Sequence, residues 1–298
     1  MMKKSFLMML LVCVAGLFTL FGMSAAEDEL LKPYVFASAE ASSLDKKTGE
    51  VKAAVVEQGF QVVGEYSPFK GANVIVVTSD ALKKDAARSD FGSYGAIMRI
   101  SLTEKKGGDI EVAYTNPLYY AQAYRMKDPL SDVAAALEKA IGKKSVFGSQ
   151  KGIKASKLRS YHYMVMMPYF DDQVRLGSFG SQEEALKTIE ANLAARKGGS
   201  SKVYRVDLPD KKESVIGVSI TEGEGADKTI MPVIDIADPK HTAHLPYEMV
   251  VSNGKVYMLH GKFRIALDFP DLTMGTFMKI SGAPSAIEAR LKQIAGGK

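Results

Sequence analysis

Two stretches decide how this chain is read: Ser131 to Gly142, "SDVAAALEKAIG", and Ser285 to Gly296, "SAIEARLKQIAG". Each opens on serine, a residue that caps helix N-termini, and stops on glycine, which readily takes the left-handed conformation past a helix end. A proline lies just upstream of each, Pro129 and Pro284. Their apolar positions coincide: Val133 with Ile287, Leu137 with Leu291, Ala140 with Ile294. Spacings of four and three place these on one helical face. Two such similar helices predict an internally repeated chain.

Working outward, each helix follows a candidate hairpin. In the first half Ala96 to Thr103 and Ile110 to Thr115 flank Gly107-Gly108. In the second, Tyr247 to Val251 and Lys255 to His260 flank Asn253-Gly254, a strong two-residue turn signal. Further upstream the first half offers Tyr34 to Glu40, Asp45 to Gln58, Phe60 to Tyr66 and Asn73 to Thr78 as strand, helix, strand, strand. The second offers Tyr161 to Phe170, Gln182 to Ala195, Lys202 to Leu208 and Ser214 to Thr221 in the same order. Short helices follow at Ala81 to Arg88 and near Ala226 to Ile234. Each half therefore reads β-α-β-β-α-β-β-α. The predicted class is α+β, with largely antiparallel sheets each covered by helices on one face. The halves span residues 27–142 and 158–298, joined by a basic linker at 143–157, "KKSVFGSQKGIKASK". A single interleaved domain is the alternative.

The N-terminus carries the marks of an export signal at residues 1–26. Lys3 and Lys4 precede an apolar run from Phe6 to Phe21, and Ser24-Ala25-Ala26 offers small residues before the acidic Glu27-Asp28-Glu29. The run is short for a membrane span. A periplasmic or secreted location is expected, with no span left after cleavage. Cys13, the single cysteine, lies in that run, so the mature chain has no disulfide, thiolate nucleophile or Cys-based metal pair. Of 298 residues, 272 remain after Ala26, enough to bury a core without staples. The formal charge of +5 falls to +3 when Lys3 and Lys4 are removed. The remaining lysines often sit beside acids, as in "LPDKKES" (Leu208 to Ser214), which argues against nucleic acid as a partner.

"EQGFQVVGEYS", "ANVIVVTS", "YGAIMRISL" and "YTNP" in the first half resemble the bacterial domain-of-unknown-function family numbered 302. "HLPYEMVVSNGKV" in the second half resembles the segment of that family in which Leu-Pro enters a strand and a glycine turn follows. The resemblance covers residues 33–142 and, more loosely, 158–297. It implies a small α+β sandwich and no settled activity; this sequence departs from the family by carrying two copies, the second divergent, and an export signal.

The chemistry-bearing residues are few. His241 and His244 form an H-x-x-H pair, and His162 and His260 lie in the same half. On a strand, His162, Met164 and Met166 would share a face. Imidazole with thioether suits copper, and imidazoles alone suit zinc. The plainer reading is of surface or hydrogen-bonded histidines and methionine as core filler. "GEGADKT" (Gly223 to Thr229) lacks the glycine a phosphate loop needs before its lysine, and "GSFGS" (Gly177 to Ser181) is a helix entry capped by Ser181. No catalytic constellation is recognisable. Tyrosines are more suggestive: Tyr119, Tyr120 and Tyr124 beside Arg125, then Tyr163 and Tyr247. A tyrosine buries area while keeping a polar tip, which suits a ligand groove as well as a core.

The sequence thus favours a non-catalytic exported protein that binds a small apolar or aromatic-compatible ligand or an envelope protein. A periplasmic metal handler is the alternative, and a structural envelope component a third reading. Cleavage after Ala26 predicts that N-terminal sequencing of secreted material starts at Glu27. Intact chain held in the membrane fraction would contradict the export reading.

Overall fold

Strand alternation and helical stripes account for the layers seen in the computed structural model, which describes residues 29–296. The export-signal reading of residues 1–26 lies outside the described residues. The first half runs β1 (Leu30–Leu31), β2 (Tyr34–Ala41), α1 (Leu44–Glu57), β3 (Gln61–Tyr66), β4 (Ala72–Thr78), α2 (Asp80–Ala87), β5 (Met98–Glu104), β6 (Asp109–Thr115), α3 (Pro117–Ala123), α4 (Ser131–Ile141) and β7 (Ser145–Phe147). β8 (Ile153–Lys154) and α5 (Ala155–Leu158) cross to the second half. That half runs β9 (Val174–Ser178), α6 (Gln182–Ala194), β10 (Ser200–Asp207), β11 (Glu213–Ile220), α7 (Asp227–Ile234), β12 (Tyr247–Ser252), β13 (Lys255–Met258), α8 (Gly261–Asp268), α9 (Met274–Met278) and α10 (Ala283–Ala295).

The fold is α+β, with strand pairs antiparallel throughout both large sheets. One sheet has the order β3-β4-β5-β6-β2-β7 and the other β10-β11-β12-β13-β9. Apart from the added β7, the order of strands and the placing of α1 and α6 after the first strand are the same in both halves. The predicted "β-α-β-β-α-β-β-α" succession can be followed in each half, with α3 added before α4 and with α8 and α9 added before α10.

Register assigns each side chain to a face. In β5, Ile100 and Leu102 face α1 and α4, where Val51, Val55, Val133 and Leu137 are buried. Arg99, Ser101 and Thr103 alternate to the other side, toward the second sheet. In that sheet Ile216, Val218, Met249 and Val251 pack with Leu186 and Ile189 of α6 and Ile287, Leu291 and Ile294 of α10. Their alternates Val215, Tyr204 and Val250 join the first half's core instead. The layers are helix, sheet, sheet, helix.

Local chemistry ends and starts these helices as the residues dictate, with two corrections. Ser43, Ser79 and Ser181 cap α1, α2 and α6 by accepting backbone N–H bonds from Lys46, Leu82 and Glu184. Ser131 is instead the first residue of α4, after Leu130 in the left-handed region, and Ser285 lies inside α10, which begins at Ala283 with Pro284 in its first turn. Gly142 and Gly296 do close their helices, at φ of 86° and 69°.

The expected strand from Tyr161 to Phe170 is not one. That segment turns, with Met167 N–H donating to Met164 O at 3.0 Å, and the edge strand β9 lies downstream, paired to β13. Pro168 has no N–H for a ladder, and the run that looked apolar leaves Val165 and Met166 in solvent. The stretch 143–157 is not a free linker either: β7 adds to β2, and β8 pairs with β1.

Packing on the inward face of the second sheet is tight. A Cβ on Gly217 would lie 2.0 Å from Cε1 of Tyr204, whose ring crosses that glycine. Gly217→Val is expected to cost about 1–3 kcal/mol by overpacking, read as a lower urea midpoint. An unchanged midpoint would mean that Tyr204 moves aside freely.

Candidate functional site

Charged residues on inward faces must find one another, because the layer between the sheets holds no bulk solvent. Arg99 of β5 donates to Oε1 of Glu248 of β12 at 2.5 Å, with both side chains 2% exposed. Tyr204 donates to the same oxygen at 3.2 Å. Arg264 of α8 lies 3.5 Å from Oε2 of Glu248 and pairs with Asp268 one turn along. It also donates to the His244 carbonyl at 2.5 Å. Tyr120 of α3 donates to Oδ1 of Asp268 at 2.7 Å, and the Arg99 guanidinium lies 5.7 Å from the Tyr120 ring. Two guanidiniums are thus balanced by two carboxylates.

His244 sits in this network with both nitrogens engaged. Its Nδ1 is 2.6 Å from Oδ2 of Asp268, and its Nε2 is 3.0 Å from the Tyr247 hydroxyl. Burial, then Arg264 and Arg99, push its pKa well below the ordinary value, so the ring is neutral. A neutral ring beside a carboxylate donates from Nδ1 and accepts the Tyr247 proton at Nε2. His244 and Asp268 have no solvent exposure, and the dyad ties α8 to the start of β12 through Tyr247.

Three residues away the environment differs. His241 packs among Tyr34, Phe147 and Phe269 with tilted rings, at centroid distances of 4.9, 5.5 and 4.7 Å. It lines a cleft of about 400 Å³ between the loop after β7, the loop after α7 and the segment leading into α9. Burial, then His244 and Lys240, lower its pKa to about 3. Its backbone N–H donates to Asp235 at 2.9 Å, and the Lys240 N–H donates to Glu111 of β6 at 2.6 Å, which pins the loop to the first sheet. Most polar groups around the cleft are spent on protein partners. Lys32 donates to Gln150 O, Asp271 accepts from Gln150 N–H at 2.6 Å, and Asp238 pairs with Lys105 and Lys240. The Nδ1 of His241 has no partner among the described residues.

The residues singled out in the sequence are dispersed. Tyr119 is buried and donates to Leu267 O at 2.8 Å; Tyr120 and Tyr247 belong to the ionic network; Tyr124 packs against Phe170. The expected tyrosine groove is therefore interior, because α3 turns those rings toward α8 and not outward. Arg125 is tied to the Arg159 carbonyl and to Asp171, both at 2.8 Å. Tyr163 donates to Leu272 O at 2.8 Å and lines a separate, smaller cavity.

The histidines do not converge. His162 bonds Met164 O at 2.8 Å, and His260 caps α8 by accepting the Lys262 N–H. His244 has no nitrogen left for copper or zinc. Among the described residues no group of three or more His, Cys, Asp or Glu side chains is placed to hold a metal. The aromatic box around His241 was missed because Tyr34 and Phe147 are far away in sequence; only the H-x-x-H pair pointed there.

No family profile, curated protein or solved structure matches this chain. No helix among the described residues is long and apolar enough to cross a membrane.

The imidazole sets a pH test. Its ordinary pKa of 6.5 falls to about 3 on folding, so the unfolded chain binds the proton first and stability drops as pH falls from 6.5 toward 3. Asp235 works oppositely: burial raises it from 3.8 to about 7, costing stability as pH rises through that window. His241→Phe removes only the first effect. Its stability relative to wild type should rise by up to about 1.4 kcal/mol per pH unit as pH falls below 6.5, measured by urea unfolding at pH 7.5, 5.5 and 4.5. A constant difference would mean that His241 is not held neutral.

Proposed function

We propose that this is an exported, non-catalytic binding protein whose ligand occupies the cleft beside His241. The observation that carries the reading is a neutral, unpartnered imidazole boxed by three aromatic rings on the wall of a cleft of about 400 Å³. That volume falls in the range of roughly 300–1,000 Å³ typical of small-molecule sites, which are mostly apolar with a few orienting polar groups. The favoured ligand has a planar or apolar body and one hydrogen-bonding group. The loop anchored by Asp235 and Glu111 keeps the cleft formed without a ligand, which limits the ordering cost of binding.

Export rests on the N-terminal pattern of Lys3, Lys4, the Phe6 to Phe21 run and Ser24-Ala25-Ala26. The shared strand order of the two halves supports duplication of one unit, and the likeness of that unit to domain-of-unknown-function family 302 rests on the sequence segments alone.

Native mass spectrometry of wild-type protein purified from the periplasm of its own host is expected to show a retained small organic ligand. His241→Ala should lose it while remaining folded. A wild-type mass equal to the bare chain, or equal retention by the variant, would remove the cleft as the binding site.

A further inference from the structure

A second cavity of about 190 Å³ opens between α8 and α9, lined by Tyr163, Met167, Ile265, Phe269, Met274 and Phe277. Its interior offers no free polar group, since the Tyr163 hydroxyl is committed to Leu272 O. Water needs about two to four polar partners to be stable in a cavity, so this space favours hydrocarbon. It is smaller than the roughly 300–1,000 Å³ of a site that encloses a drug-sized ligand, and therefore suits a chain segment. Met167 and Met274 give it adaptable walls, because an unbranched thioether side chain re-packs around irregular shapes.

Two features mark the mouth. Lys262 is the only charged residue of the lining; it is exposed, and its ammonium makes no ion pair with a described residue. Beside Met167, the turn leaves Met164, Val165 and Met166 exposed by 46%, 83% and 98%, and Met274 of the opposite wall by 45%. Apolar side chains held in water at the lip of a pocket extend its greasy surface outward.

We propose that this cavity binds the hydrocarbon chain of a monomeric anionic amphiphile of the fatty-acid class, with its acid group at Lys262. The site goes beyond the cleft reading. Phe269 forms a shared wall, packing against His241 on one side and lining this cavity on the other.

The test titrates the mature wild-type protein with decanoate, below its micelle concentration, by calorimetry, with decanol as the uncharged comparison. Saturable binding of decanoate is expected, tighter than that of decanol. Lys262→Glu, a surface change, should weaken decanoate roughly fivefold, the scale of an exposed charge contact, and leave decanol unaltered. Met274→Asp, on a half-open wall, should weaken both. His241→Phe should leave decanoate binding within about twofold, so the fate of the cleft reading is scored separately. No decanoate binding, or decanoate binding indifferent to Lys262→Glu, would overturn the proposal. So would loss of binding in His241→Phe, or capture by phosphatidylglycerol vesicles with no affinity for monomeric decanoate.

Discussion

The Arg99–Glu248 contact is the constraint on which the arrangement of the two halves depends. Each residue occupies an inward position of its own sheet, fixed by strand alternation, and each is nearly inaccessible. Burial alone would lower the Arg99 pKa, but Glu248 and the surrounding tyrosines hold it above its usual value. Neither charge has water to fall back on, so either one alone would oppose the docking of the sheets. Arg264, Asp268, His244 and Tyr120 extend the same balance to α8 and α3. The halves can meet in one orientation only if the charges meet as well.

That orientation brings the cleft together. Phe147 comes from β7, Tyr34 from β2, His241 from the loop after α7 and Phe269 from the end of α8. Thr103 of β5 bonds Thr242 at 2.9 Å inside the layer, and Glu111 of β6 holds Lys240. The loop bearing His241 is thus fastened to the first sheet, although it belongs to the second half. The cleft is a product of docking and is not built by either half alone.

Much of the fold was legible because it follows from periods of two and 3.6 and from turn chemistry. Val133 and Leu137, like Ile287 and Leu291, declare their buried face, and Asn253-Gly254 declares its hairpin. The 161–170 segment misled because alternation was read through Pro168 and through methionines that are in fact solvent-facing. The short elements β1, β7 and β8 left no pattern, since two or three residues carry no period. The site was less legible for a different reason. Arg99 and Glu248 are 149 residues apart, as are Tyr120 and Asp268 by nearly as many, and nothing local announces such partners. His241 and His244 looked equivalent in sequence. Only packing separates one, with both nitrogens satisfied, from the other, with a nitrogen to spare.

If the buried ion pair sets how the halves dock, its two partners must be strongly coupled. The most direct measurement is a double-mutant cycle by urea unfolding of the mature chain, with Arg99→Met, Glu248→Gln and the double variant. Each single change strands a buried charge or polar group and should cost about 3–5 kcal/mol, while the double variant should cost well under the sum. Single variants within about 0.5 kcal/mol of wild type, or a double variant that is simply additive, would contradict the account.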